Sequence, residues 1–107
     1  MASDADYLNY ILDRLSLLDG ITYRPMMGEY LLYYRERIFG GIYDNRFLIR
    51  PVKAVREMMP EAETEIPYEG AKEMAAVSDS CSKEFLMELI EAMYNELPSP
   101  KRKKKKQ

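Results

Sequence analysis

The residues of this chain with chemical potential are few: one cysteine, Cys81, five glutamates spread over residues 61–73, and Arg24 and Arg50 at the two ends of an aromatic-rich stretch. Histidine is absent. With no imidazole and a single thiol, neither a Ser-His-Asp nor a Cys-His nucleophile can be written, and the commonest general base at neutral pH is missing. The familiar zinc-ligand patterns cannot be assembled within one chain either. Glu61, Glu63, Glu65, Glu69 and Glu73 lack histidine and lack the Asp-rich spacing of a calcium loop, so they read as a solvated edge rather than an acid–base or metal cluster. Cys81 falls at or near the start of a helix, where the dipole favours a thiolate, but no basic partner accompanies it, and it reads as a packed thiol. Gly40-Gly41 leads into no helix with a lysine at Walker spacing, which disfavours nucleotide binding. No catalytic, cofactor-binding or metal-binding residue is assigned, and a non-enzymatic chain is expected.

Charge is divided unevenly. Residues 1–100 hold 10 basic and 18 acidic residues, a balance of −8, while the six basic residues Lys101, Arg102, Lys103, Lys104, Lys105 and Lys106 return +6. Pro98 and Pro100 separate the acidic body from this tail, so the expected organisation is one domain over residues 1–97 and a flexible basic tail over residues 98–107. The tail is the candidate nucleic-acid contact. Because no aromatic residue interleaves its lysines to stack on bases, and the body repels phosphate, only weak, non-specific, salt-sensitive binding is expected of it. No apolar run approaches the roughly 20 residues of a membrane helix, and the N-terminus, MASDAD, is acidic where a secretory signal is basic. A cytoplasmic protein with no membrane span is expected.

The elements that position these residues follow from periodicity. Tyr7, Leu8, Ile11, Leu12, Leu15 and Leu18 recur at helical spacing behind Ser3, which can cap, and ahead of Gly20, which can end the helix. Residues 21–23, 30–34, 38–43 and 46–50 are short aromatic and β-branched runs that read as an antiparallel meander. Asp44-Asn45 suits a two-residue hairpin turn, and Arg35-Glu36-Arg37 gives a connection one residue longer. Gly40-Gly41 inside a strand implies a bulge or the close approach of another chain segment. A short helix follows Pro51 and stops at Pro60; then come an acidic loop over residues 61–70, a weaker strand over residues 72–77, and a helix capped by Asp79 or Ser82 that runs to about Leu97. The expected class is α+β: an antiparallel sheet of about five strands with helices packed on it, in the order α-β-β-β-β-α-β-α.

Within this frame, Arg24-Pro25-Met26-Met27-Gly28, followed by Phe39, Ile42, Asp44 and Arg50, resembles the N-terminal domain of the TfoX (Sxy) family over roughly residues 5–97. That family shows a basic residue, Met-Phe-Gly, an aromatic-rich hairpin and a basic residue closing the following strand. Here Met27 stands in the phenylalanine place, and Arg35-Glu36-Arg37 replaces an Asp-Gly type of turn. The resemblance implies a sheet with helices packed on it, and it makes Arg24, Met26, Met27, Gly28, Phe39, Asp44 and Arg50 a structural motif. It also brings the idea of a regulator of natural competence that works as a protein-mediated coactivator beside a cyclic-AMP receptor protein. Full-length members carry a helical C-terminal domain for which 107 residues leave no room, so a stand-alone single-domain member is expected and the regulatory role does not carry over with the fold.

The strand over residues 30–34 carries large groups on both faces, Leu31 and Tyr33 on one and Tyr30, Leu32 and Tyr34 on the other, so alternation alone does not orient it. Because tyrosine is enriched in interfaces, Tyr30, Tyr34 and Tyr43 are the candidate partner surface, for an unknown protein or for a homodimer. The expected function is a TfoX-like protein acting through protein contacts. The alternatives are a nucleic-acid-associated module using the basic tail, and a small-molecule-binding enzyme, which would show a concave pocket with converging Arg24, Arg50 or glutamate groups.

Overall fold

The computed structural model describes residues 4–78 and 81–97. Elements follow in the order α1 (Ala5–Arg14), β1 (Ile21–Met26), β2 (Glu29–Tyr34), β3 (Arg37–Ile42), β4 (Phe47–Ile49), α2 (Lys53–Met58), β5 (Thr64–Glu65), β6 (Met74–Ala76) and α3 (Lys83–Met93), which runs on into a 3-10 turn, Tyr94–Glu96. The α+β class is as expected. The sheet is antiparallel with six strands, ordered β1-β2-β3-β4-β6-β5, because the acidic segment expected to be a loop contributes the two-residue strand β5.

Three hairpins build the meander, and each has two central residues with positive φ: Met27 and Gly28, Arg35 and Glu36, Asp44 and Asn45. That double left-handed turn matches the twist of paired strands. Arg37 belongs to β3 and pairs with Tyr34, so the second connection has two residues rather than the expected three. Side chains help fix the third turn, where the Asp44 N–H donates to Glu29 Oε1 at 3.0 Å and the Asp4 N–H donates to Asn45 Oδ1 at 2.9 Å.

A bulge shifts the register partway along the meander. Leu32 pairs with Gly40 while Tyr33 pairs with Ile38, so Phe39 is the extra residue; Gly41 and Tyr43 are thereby turned to the far face, while Gly40 and Ile42 stay with Phe39 on the side of Leu32. Leu32, Tyr34, Phe39, Ile42, Phe47 and Ile49 gather there with Leu8, Ile11 and Leu15, with Val55 of α2 and with Leu86, Leu89, Ile90 and Met93 of α3 to form the core. The helices thus cover one face of the sheet. Phe39, Phe47, Leu15 and Leu89 are buried, and Leu12 and Phe85 pack against the cluster from partly exposed positions. Gly40 has no room for a side chain, since a Cβ would meet the backbone of Leu48 and Ile49.

The first helix ends earlier than its spacing suggests, and Leu15 and Leu18 reach the core from the turns that follow it. Gly20, at φ 103°, then accepts a backbone hydrogen bond from Arg35. Ser82 caps α3 by accepting from the Phe85 N–H at 3.0 Å; Ser3 and Asp79, the other expected caps, lie outside the described residues. At the far end of α3, Arg37 Nη1 donates to the carbonyls of Tyr94 and Leu97, and its guanidinium lies 4.4 Å from the Tyr94 ring centre. A cation there complements the negative end of the helix dipole. Glu96 accepts from the first N–H groups of α2, Lys53 at 2.9 Å and Ala54 at 3.2 Å, which fastens α2 to the end of α3.

Candidate functional site on the helix-free face

Side chains that alternate away from the core form the other face of the sheet: Arg24 and Met26 from β1, Leu31 and Tyr33 from β2, Ile38 from β3, and Leu48 from β4, with Arg50 following it. No helix lies here. Instead the β5–β6 connection, residues 66–73, folds over the β4 end and leaves Leu48 fully buried although it stands outside the main core cluster. The open β1–β3 part keeps Leu31, Tyr33 and Ile38 only half-buried.

Arg46 pins that connection down. Its Nε donates to the Tyr43 carbonyl at 3.0 Å, Nη2 donates to the Pro67 carbonyl at 3.2 Å, and Nη1 donates to the Glu65 carboxylate and reaches the Ile66 carbonyl. A planar guanidinium can serve so many acceptors at once because its donors form a fixed fork. The chain then turns, with the Ala71 N–H donating to the Tyr68 carbonyl at 3.0 Å. Tyr68 is thereby set over Tyr43, their ring centres 6.1 Å apart.

Between this strap and the open sheet runs a groove of about 570 Å³. Leu31, Ile38, Met26 and Met74 give it an apolar floor, Tyr43 and Tyr68 form an aromatic wall, and Arg50, Lys72 and Glu73 stand on its margin. Burial above all, then the neighbouring Tyr68 phenol and the Glu29 carboxylate, raises the Tyr43 pKa above the ordinary tyrosine value; Arg50 opposes the shift and Tyr33 adds a little to it. The phenol is therefore a neutral hydrogen-bond donor across the physiological range. Nothing in this set pairs a nucleophile with a base.

The expected partner surface does not exist as one surface. Tyr34 is buried on the helix side, its ring 5.6 Å from that of Tyr94, and Tyr43 is buried on the opposite side beneath Tyr68. Tyr30 is half-buried on the core side and stacks edge-on against Tyr23. Tyr30 and Tyr34 thus share the helix side, while the register shift at Phe39, which leaves no mark on local alternation, sends Tyr43 to the other. The motif residues divide in a similar way. Phe39 is core; Met27, Gly28 and Asp44 are turn residues, Met27 being 94% exposed; Arg24 lies over the Tyr33 ring at 5.8 Å; Met26 and Arg50 reach the groove. Arg50 and Glu73 both line this concavity, whereas Arg24 does not.

Sequence reasoning passed over Arg46, Tyr68, Lys72 and Met74. The one local signal was Pro67-Tyr68-Glu69-Gly70, an aromatic residue set among turn formers inside the acidic run. Cys81 is partly buried against the core, and among the described residues no three His, Cys, Asp or Glu side chains are placed to hold a metal ion. No helix among the described residues is long and apolar enough to cross a membrane. The tail residues Lys101, Arg102, Lys103, Lys104, Lys105 and Lys106 lie outside the described residues.

Over 107 aligned residues, 99% of this chain and 93% of the relative, the sequence is 34% identical to a Spirochaeta aurantia protein named as an uncharacterized 12.7 kDa protein in the trpE 5' region. No family model and no solved structure matches the chain.

Proposed function

The chain belongs to the family of the Spirochaeta aurantia 12.7 kDa protein, and we propose that it is a TfoX-like, non-enzymatic binding module that acts through contacts on the helix-free face of its sheet. The observation that carries this reading is the asymmetry of cover. One face is closed by three helices, while the other presents Leu31, Tyr33 and Ile38 half-buried and Met26 39% exposed, with a second apolar rim at Ile66 and Tyr68. Apolar and aromatic groups clustered beside arginines are what protein interfaces are enriched in, and isolated exposure would not need such a cluster.

A photo-crosslinking residue at Met26, compared with one at the similarly exposed Leu17 beyond α1, tests the reading in producing cells. The expected result is a discrete protein adduct from position 26 and none from position 17. Adducts from position 17 alone, or equally from both, would remove the helix-free face as the contact surface.

A further inference from the structure

We infer that the groove beneath residues 66–73 is a binding site for a small organic anion with a flat apolar body, held by Arg50 and Lys72 at its charged end and by the Tyr43–Tyr68 wall along its body.

The distribution of charge points there. All ten basic residues of the acidic body are described, and seven have a partner. Arg14, Arg24 and Arg35 lie over tyrosine rings, Arg37 serves two carbonyls, and Arg46, Lys53 and Lys83 pair with carboxylates. The side chains of Arg50, Lys72 and Arg56 make no hydrogen bond or ion pair with the described residues. Two of these three stand on one groove. In a body of net −8, this concavity is lined by two cations that form no ion pair with the described residues and by one carboxylate, Glu73, with the Glu29 carboxylate also felt at Tyr43; the two free guanidinium and ammonium groups make it a place where an anion can be held. Glu73 is shared with the adjoining depression that contains Arg56, so it does not belong to this groove alone.

Shape and surface narrow the ligand. About 570 Å³ lies inside the range of roughly 300 to 1,000 Å³ typical of small-molecule sites. The floor is aliphatic and thioether, the wall is two tilted phenols, and such surfaces favour a planar apolar body. A guanidinium on the margin suits a carboxylate or sulfonate, which it can bind through two parallel N–H donors, and the neutral Tyr43 phenol offers a further donor. Access needs no rearrangement of the helices, because the groove opens on the side they leave bare. The site needs no protein partner, so its test is independent of the contact reading above.

The probe is anilinonaphthalene sulfonate added to the intact chain labelled with ¹³C at its methionine methyl groups. Phenylnaphthylamine, with the same rings and no sulfonate, serves as the control. The sulfonate should bind saturably and move the Met26 and Met74 signals while Met87 and Met93 on α3 stay in place. Arg50→Gln and Lys72→Gln each replace a cation outside the core and should weaken the sulfonate about tenfold or more, as loss of a hydrogen bond to a charged group does, with phenylnaphthylamine affinity unchanged. The inference fails if neither variant weakens the sulfonate, if the neutral compound binds as tightly, or if the shifted methyl groups are those of the helices.

Discussion

The ring of Tyr43 lies over the bare α-carbon of Gly41: a Cβ at Gly41 would stand 2.7 Å from the phenolic oxygen and 2.8 Å from Cε2 of the ring. The same Cβ would stand 2.7 Å from the Tyr30 carbonyl oxygen, which is backbone and cannot swing away. Glycine at this position lets an aromatic wall stand directly on the sheet. Gly41→Ala should therefore displace Tyr43 and destabilise the fold by about 1 to 3 kcal/mol, the usual range for overpacking. A denaturation midpoint equal to that of the parent chain, with the Tyr43–Tyr68 contact intact in the variant's structure, would contradict this.

Arg46→Ala should loosen the strap without unfolding the domain. The Arg46–Glu65 pair is about a third exposed at both partners, so screening leaves it worth about 1 kcal/mol or less, and the larger consequence is local. Amide hydrogen exchange should rise over residues 65–71 and stay unchanged in α1 and α3. Equal acceleration in the helices would mean that Arg46 supports the whole core rather than this connection.

Phe39 is the bulged residue and is fully buried between sheet and helices. Phe39→Ala removes a ring from a site whose walls are fixed by three helices, and should cost about 3 to 5 kcal/mol. Against a total of about 5 to 15 kcal/mol for a small domain, that shifts the urea midpoint markedly downward. A midpoint within error of the parent chain would show that this ring does not fill the core.

Tyr43 should titrate late. Its folded pKa is raised chiefly by burial, so above the ordinary value of about 10 the unfolded chain releases this proton while the folded chain retains it. The unfolded state then binds fewer protons, and stability falls as pH rises from about 10 through the folded value; below about 10 the contribution is fully present. Tyr43→Phe should flatten that decline and remove one late step from the ultraviolet titration of the nine tyrosines. An identical alkaline stability profile in the variant would place the phenol in open water.

Much of the fold was legible locally. The 3.6-residue period of Leu8, Ile11 and Leu15, the β-branched and aromatic runs, Asp44-Asn45 and the glycine pair each state a backbone preference that short-range sterics enforce, and each appears in the structure. The sequence by itself therefore determined the class, nearly all the elements and the turn sites. It did not determine the faces. A period of two defines two sides of β2 without saying which is inside, and both sides carry large apolar groups, so the choice fell to where the helices pack, while the bulge at Phe39 set which side the rest of β3 presents. β5, with two residues, is too short to carry a pattern, and its place beside β6 at the sheet edge comes from pairing alone. The groove has the same origin. Met26, Arg50, Tyr68 and Lys72 are separated along the chain by up to 46 residues, and only the return of residues 66–73 across the sheet, fastened by Arg46, brings them together. Contacts of that span are bought by burial and pairing across the whole domain, which no local stretch of residues encodes.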